Sequence, residues 1–151
     1  MTSSAPGFRK DPYAAFRFHV EIDGILAGGF SQVSGIELEL QVESYEEGGV
    51  NHFTHHLVKS MRFPNLVLTR GLLPKHGIWW DWMEQVRQGR IERRSGRLIV
   101  FDAQHEGEHD YFSFTGACPV RLRMSDLDAS SNTVATEALE LAHHGILRSR
   151  P

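Results

Sequence analysis

A chain of 151 residues, 40% hydrophobic and 23% charged, suits one domain with a single core, and excludes collagen-like, disordered and membrane-spanning classes. Its formal net charge of -3 argues against a domain built to coat nucleic acid. Its single cysteine, Cys118, excludes an internal disulfide, and no apolar run approaches the ~20 residues of a membrane helix, so no membrane insertion by this chain is expected.

Residues 1–10 read as a flexible N-terminal leader without a secretory signal, 11–147 as a single β domain, and 148–151 as a C-terminal tail. Phe16, Phe18, Val20 and Ile22 alternate with Arg17, His19, Glu21 and Asp23, which predicts a strand. Asp23-Gly24 predicts a hairpin turn, with Ile25 to Phe30 returning and a bulge or close approach at Gly28-Gly29. After a turn at Ser34-Gly35, Ile36, Leu38, Leu40 and Val42 alternate with Glu37, Glu39, Gln41 and Glu43. That strand has one apolar face and one acidic face.

Glu46 to Ser60 holds Gly48-Gly49 and three histidines, and reads as a long loop or a flexible hairpin. Leu66 to Leu68 make a short strand ending at Gly71. Ile78 to Arg87 is predicted to be a helix. Trp79, Trp82, Met83 and Val86 fall on one face of it as a core stripe, and Gly89 stops it. Arg97 to Asp102, Tyr111 to Phe114 and Cys118 to Met124 read as strands, with a polar turn at Gln104 to Asp110 and a turn-rich loop at Asp126 to Asn132. Thr133 to His144 suits a helix through Val134, Ala138, Leu141 and Ala142, and a strand through alternation at Leu139 to Leu141. The sum is a mainly β domain: an antiparallel β-barrel or sandwich with one packed α-helix.

The chemistry-bearing residues point away from catalysis. His52, His55 and His56 cluster, but no cysteine pair completes a zinc set, and they read as solvated loop histidines. Gly107 between His105 and His109 opposes a helical ligand pair, and His143-His144 would face opposite ways on a strand. Cys118, before Pro119, reads as a buried inert thiol. Glu37, Glu39 and Glu43 form an acid row, but no apolar pocket raises one of them toward a general acid. Neither G-x-x-x-x-G-K nor G-x-G-x-x-G occurs. Arg90, Arg93, Arg94 and Arg97 lack interleaved aromatics for nucleic acid, and read as a salt-bridging subunit contact or a solvated loop. No metal, cofactor or catalytic residue is expected.

Several segments in order resemble the tail tube protein family of contractile phages and phage-like injection systems. They are Asp11-Pro12-Tyr13 with Phe16 to Gly24, Gly28 to Glu37, Tyr45 to Gly49, Leu68 to Gly71, Trp80-Asp81-Trp82, Asp128 to Asn132, and Glu137 to His143. The resemblance implies a β-barrel or sandwich subunit, related in fold to the haemolysin-coregulated tube protein of type VI secretion. It implies six-membered rings stacking into a hollow tube inside a sheath. It also implies that Thr133 to His143 is a strand. The implied partners are other copies of the chain, sheath, baseplate and tube-terminating proteins, and cargo effector or DNA in the lumen. The implied location is assembly in the bacterial cytoplasm, then a phage virion or an injection particle.

On that basis three surfaces are expected. If the apolar face of Ile36 to Val42 packs inward against Trp79, Trp82 and Met83, then Glu37, Glu39 and Glu43 line the channel. Their charge would discourage sticking of DNA or acidic cargo. Glu46, Glu47, Gly48, Gly49, His52, His55 and His56 form a loop reaching between rings. Arg90, Arg93 and Arg94 contact a neighbouring subunit. The alternatives are a tube-initiating subunit at the baseplate, a monomeric β-barrel holding a small apolar ligand, and a hydrolase using the acid row.

Overall fold

A computed structural model describes residues 18–23, 30–46, 48–49, 54–72, 77–101 and 109–149 of the chain. Alternation in the sequence becomes alternation in burial. In β1 (Phe18–Ile22), Val20 and Ile22 point into the core. In β5 (Leu66–Gly71) and β8 (Thr136–Ala142), every second side chain is buried. The remaining strands are β2 (Phe30–Ser34), β3 (Glu39–Tyr45), β4 (His55–Arg62), β6 (Arg94–Phe101), β7 (His109–Met124) and β9 (Gly145–Ser149). The helix α1 spans Ile78–Arg87, as its sequence periodicity predicts.

Seven strands make one antiparallel sheet, six of them in the order β1-β6-β7-β8-β5-β2 and β9 paired with β7 off that path. The 16-residue β7 is the shared member. Its first part pairs with β6 and β9. Its last part pairs with β8. Between them Gly116 sits at φ 63, where a Cβ would stand 2.3 Å from Nδ1 of His144. Only glycine fits that close approach in a left-handed conformation. The bend lets the two halves enclose one core. Val20, Ile22, Leu98, Phe114 and Ile146 come from one half, and Leu66, Leu68, Leu139 and Leu141 from the other.

Helix α1 contributes Trp79 and Trp82 to that core, at 1% and 2% exposure. Burying each ring stabilises the domain by up to about 3 kcal/mol. Phe30 stacks on Trp79 at 5.6 Å, and Trp82 Nε1 donates to the Glu92 carbonyl at 3.1 Å. Met83 and Val86 are half-buried, and Val86 packs on the core. Gly89, at φ 84, follows the last turn.

Several expectations need correction. β1 and β2 form no hairpin, because β1 pairs with β6 and β2 with β5 at opposite ends of the path. Residues 24–29 lie outside the described residues. Tyr111 to Phe114 and Cys118 to Met124 belong to one strand, and Asp110, placed in a turn, is buried within it. Residues 136–142 are a strand, so the open choice there resolves against a helix. β9, not foreseen, extends to Ser149, into the segment expected to be tail.

The largest correction concerns β3 and β4. The apolar face of β3 does not pack on α1. Ile36 touches the core, but Leu38, Leu40 and Val42 are 58%, 48% and 51% exposed. Alternation signals a face that will be covered, not which molecule covers it. Of the two readings of Glu46 to Ser60, a long loop or a hairpin, the hairpin holds: residues 55–60 belong to a strand. β4 pairs with β3 along its length, and the two form a separate two-stranded ribbon.

Candidate assembly interface

The ribbon presents one continuous apolar face. Leu40 lies opposite Met61, and Val42 opposite Val58, with a register shift between Gln41 and Val42. Val58 and Met61 are 63% and 65% exposed. The other face is mixed, with Leu57 opposite Glu43 and Tyr45 beyond it among polar side chains. Lys59 pairs with Glu43 at 2.9 Å, and the Ser60 hydroxyl donates to Gln41 at 2.9 Å. Glu39 stands opposite Arg62, and Glu37 lies just before the strand, its N–H donating to the Gly35 carbonyl. The acid row therefore sits on a projecting element and not on the main sheet.

At the ribbon's far end are Tyr45 opposite His55, Ser44 opposite His56, then Glu46 and the Gly48-Gly49 turn. Glu47 and His52 lie outside the described residues. The ribbon's root is fixed by Gly35, at φ 87, where a Cβ would stand 2.0 Å from the Asn65 carbonyl oxygen. That contact locks the departing strand to the returning one.

A second surface was missed from the sequence: the outer face of the sheet β2-β5-β8-β7. With Leu66, Leu68, Leu139 and Leu141 pointing inward, the register puts Gln32, Ser34, Val67, Thr69, Ala138, Glu140, Arg121 and Arg123 on the other side. These side chains are small or polar, and Asn65 Nδ2 donates to Glu140 at 2.8 Å across them. The outer face of the other half differs. It carries Ile99 beside Tyr111, and Leu147 at 73% exposure. The alternation of Arg121, Arg123, Ala138 and Glu140 was the available signal, obscured because those strands also carried the core pattern.

This sheet has unused edges. Among the described residues β2 has one neighbour, β5, and residues 118–124 of β7 have one neighbour, β8. Unpaired edges are ready templates for another chain. Beneath the sheet lies a buried ion pair, with Arg70 Nε donating to Glu137 at 2.5 Å and Arg70 lying 3.9 Å over the Trp79 ring.

The arginine cluster divides. Arg94 donates to the Asp23 carbonyl at 2.8 Å, pairs with Glu92 at 3.2 Å and lies over Trp82. Arg93 donates to the Gly116 carbonyl at 3.1 Å, while Arg90 is exposed. Arg93 and Arg94 thus brace their own domain. The ionisations that move have local causes. Hydrogen bonds from Arg87, then Gln88, hold Glu84 down to about 2. Glu21 raises Arg97, and Ser130 lowers Asp128. Among the described residues no three metal-ligating side chains converge, and Cys118 is buried.

A two-sheet β domain with spare strand edges and a projecting apolar ribbon defines a subunit of the tail-tube class. The family comparison agrees over most of the chain. The protein belongs to the T4-like virus tail tube protein gp19 family, whose model matches residues 14–147. It is similar to a chain in the anti-feeding prophage baseplate structure, at 24% identity, 93% coverage of this chain, 97% of that one, and a TM-score of 0.81. A chain in the sheath-tube complex of an extracellular contractile injection system, PVC, in its extended state gives 20% identity, 93% coverage of both chains and a TM-score of 0.81. Hcp1 from Flavobacterium johnsoniae is more distant, at 16% identity, 88% and 94% coverage, and a TM-score of 0.59. At these identities the likeness shows the fold. The comparison with curated proteins gives no match.

Proposed function

We propose that this tube protein closes into six-membered rings through the free edges of β2 and of residues 118–124 of β7. The carrying observation is that these edges bound one four-stranded stretch, β2-β5-β8 with residues 118–124 of β7, and that this stretch has the small, polar outer face. Joining β2 of one copy to β7 of the next removes both edges and makes one closed wall. The outer face then lines the channel. Arg121, Arg123 and Glu140 keep it hydrated and of mixed sign, so cargo or DNA finds no apolar grip.

This reading moves the lumen from Glu37, Glu39 and Glu43 to that face, because the acid row stands on the ribbon. The ribbon, with Glu46, Gly48, Gly49, His55 and His56 at its end, takes the inter-ring role. Sheath surrounds the ring, and baseplate and terminating proteins meet its ends. The subunit performs no catalysis; it is a stiff conduit, assembled in the bacterial cytoplasm as part of a contractile particle.

Native mass spectrometry of the purified chain, paired with negative-stain electron microscopy, tests this. Six-membered rings are the expected result. A strict monomer at high concentration would refute ring closure by these edges.

A further inference from the structure

We infer that the outer face of the stretch β2-β5-β8-β7, with Arg121 and Arg123 as its anion-binding groups, holds the surface of an acidic protein. This inference rests on the ring-forming reading and names the chemical class of partner that the enclosed face takes.

This face differs in sign from the chain that carries it. The chain has a formal net charge of -3. Opposite to Leu66, Leu68, Leu139 and Leu141, the face carries two guanidinium groups, from Arg121 and Arg123, and one carboxylate, from Glu140. Both arginines are exposed, and among the described residues neither has a hydrogen-bond or ion-pair partner. Glu140 is already engaged, accepting from Asn65 Nδ2 at 2.8 Å. Glu37 and Asp126 lie beyond the strands of this stretch. Ring closure leaves the arginines unneutralised, because the β2 edge arriving from a neighbour, Phe30–Ser34, holds no charged residue. The positive excess therefore repeats around the ring, and walls of one sign focus their field into the space they enclose.

Spacing and composition choose the partner. Arg121 and Arg123 are two residues apart on one strand face, so they stand roughly 7 Å apart. Carboxylates at every second residue of an extended acidic segment recur at that same spacing. A guanidinium fork grips a carboxylate with two parallel hydrogen bonds. Nucleic acid fits less well. The other side chains here, Gln32, Ser34, Val67, Thr69 and Ala138, include no ring on which a base can stack. Glu140 also faces Arg121 across the β7–β8 ladder, so a uniformly anionic phosphate backbone meets a carboxylate beside that guanidinium. An acidic protein, with donors interspersed among its carboxylates, satisfies both signs. Each exposed ion pair is weak and screened by salt. Such a partner is held by many contacts at once and can still slide past them.

The test measures binding to rings of the natural chain and of three variants: Arg121→Gln/Arg123→Gln, Glu140→Gln and Arg90→Gln. The probes are a labelled peptide of alternating Glu and Ser, its Lys-Ser counterpart, and single-stranded and duplex oligonucleotides. Fluorescence anisotropy at low salt reads affinity, and native mass spectrometry reads ring mass and the number of peptides held. Natural rings should bind the Glu-Ser peptide in preference to the other probes, with fewer peptides than subunits, as a shared interior requires. Arg121→Gln/Arg123→Gln should weaken that binding about tenfold or more, and Glu140→Gln, which keeps an acceptor for Asn65, should strengthen it about threefold. Arg90→Gln, an exposed arginine outside this face, should leave it unchanged. Should the double arginine variant fail to close, the direction of change in Glu140→Gln decides. Undiminished binding in the double variant, no gain in Glu140→Gln, one peptide per subunit, or a preference for either oligonucleotide would overturn the inference and leave the ring reading standing. Absence of rings in the natural chain would instead overturn the ring reading and this inference with it.

Discussion

Removing the Glu137 carboxylate should cost this domain more than any change at its surface. Arg70 and Glu137 face each other across the β5–β8 ladder, with side chains 6% and 2% exposed. The Trp79 ring covers one face of the guanidinium, and Nη2 of Arg70 is buried without a partner. The carboxylate is therefore the chief compensation for burying that cation. Glu137→Ala leaves the guanidinium with the ring alone. Removing one side of a buried pair costs about 3–5 kcal/mol, and the retained cation–π contact puts the expectation at the lower end, ~3 kcal/mol. For a domain of this size each kcal/mol is roughly 2–4 °C, so Tm should fall by about 6–12 °C. Arg70→Met/Glu137→Leu, which removes both charges, should recover most of the loss. The assay is urea unfolding followed by tryptophan fluorescence, on unassembled chain because assembly adds apparent stability. A loss below ~1 kcal/mol in Glu137→Ala, or a double variant as unstable as the single, would refute this account of the pair.

Two further outcomes follow from geometry and charge. Gly35→Ala must adopt φ 87 and place a Cβ 2.0 Å from the Asn65 carbonyl oxygen; we expect a loss above ~2 kcal/mol, while Gly48→Ala, with open space around it, should change the thermal midpoint little. Glu84 is held below its ordinary 4.5, at about 2, so its contribution is present in full above pH 4.5 and is lost as pH falls toward 2. A carboxyl-carbon NMR titration should show that midpoint, and Arg87→Ala should move it back up toward 4.5; an unmoved midpoint would count against Arg87 as its main cause.

What was legible in the sequence was local. The α1 stripe of Trp79, Trp82, Met83 and Val86 announced a helix because each turn of it repeats a contact with the same core. The alternation of β1 was equally plain, and β5 and β6 were read as strands from short apolar runs. Pairing was not legible: nothing near Asp23 reveals that β1 joins a strand beginning at Arg94, because backbone ladders carry little side-chain code. Gly116 shows the same limit, since the ring that a Cβ there would strike belongs to His144, far along the chain. The ribbon was half read. Its alternation was seen, but β3 was given an intramolecular cover that the core does not provide. The polar outer face went unseen because the residues that make it, such as Thr69 and Ala138, are unremarkable one at a time and become a surface only in register.

The position of β8 bears on when the molecule becomes sticky. It lies between β5 and β7, yet a ribosome makes it after both. Until residues 136–142 emerge, β5 and the end of β7 have no native bridge between them, and the wall bounded by the two edges proposed to join does not exist. Translation at roughly 5–20 residues per second makes that a delay of several seconds or more after β2 appears. A nascent chain thus carries its hydrophobic segments for most of its synthesis without offering neighbours a finished docking edge. On the proposed ring closure, competence to polymerise arrives together with completion of the fold.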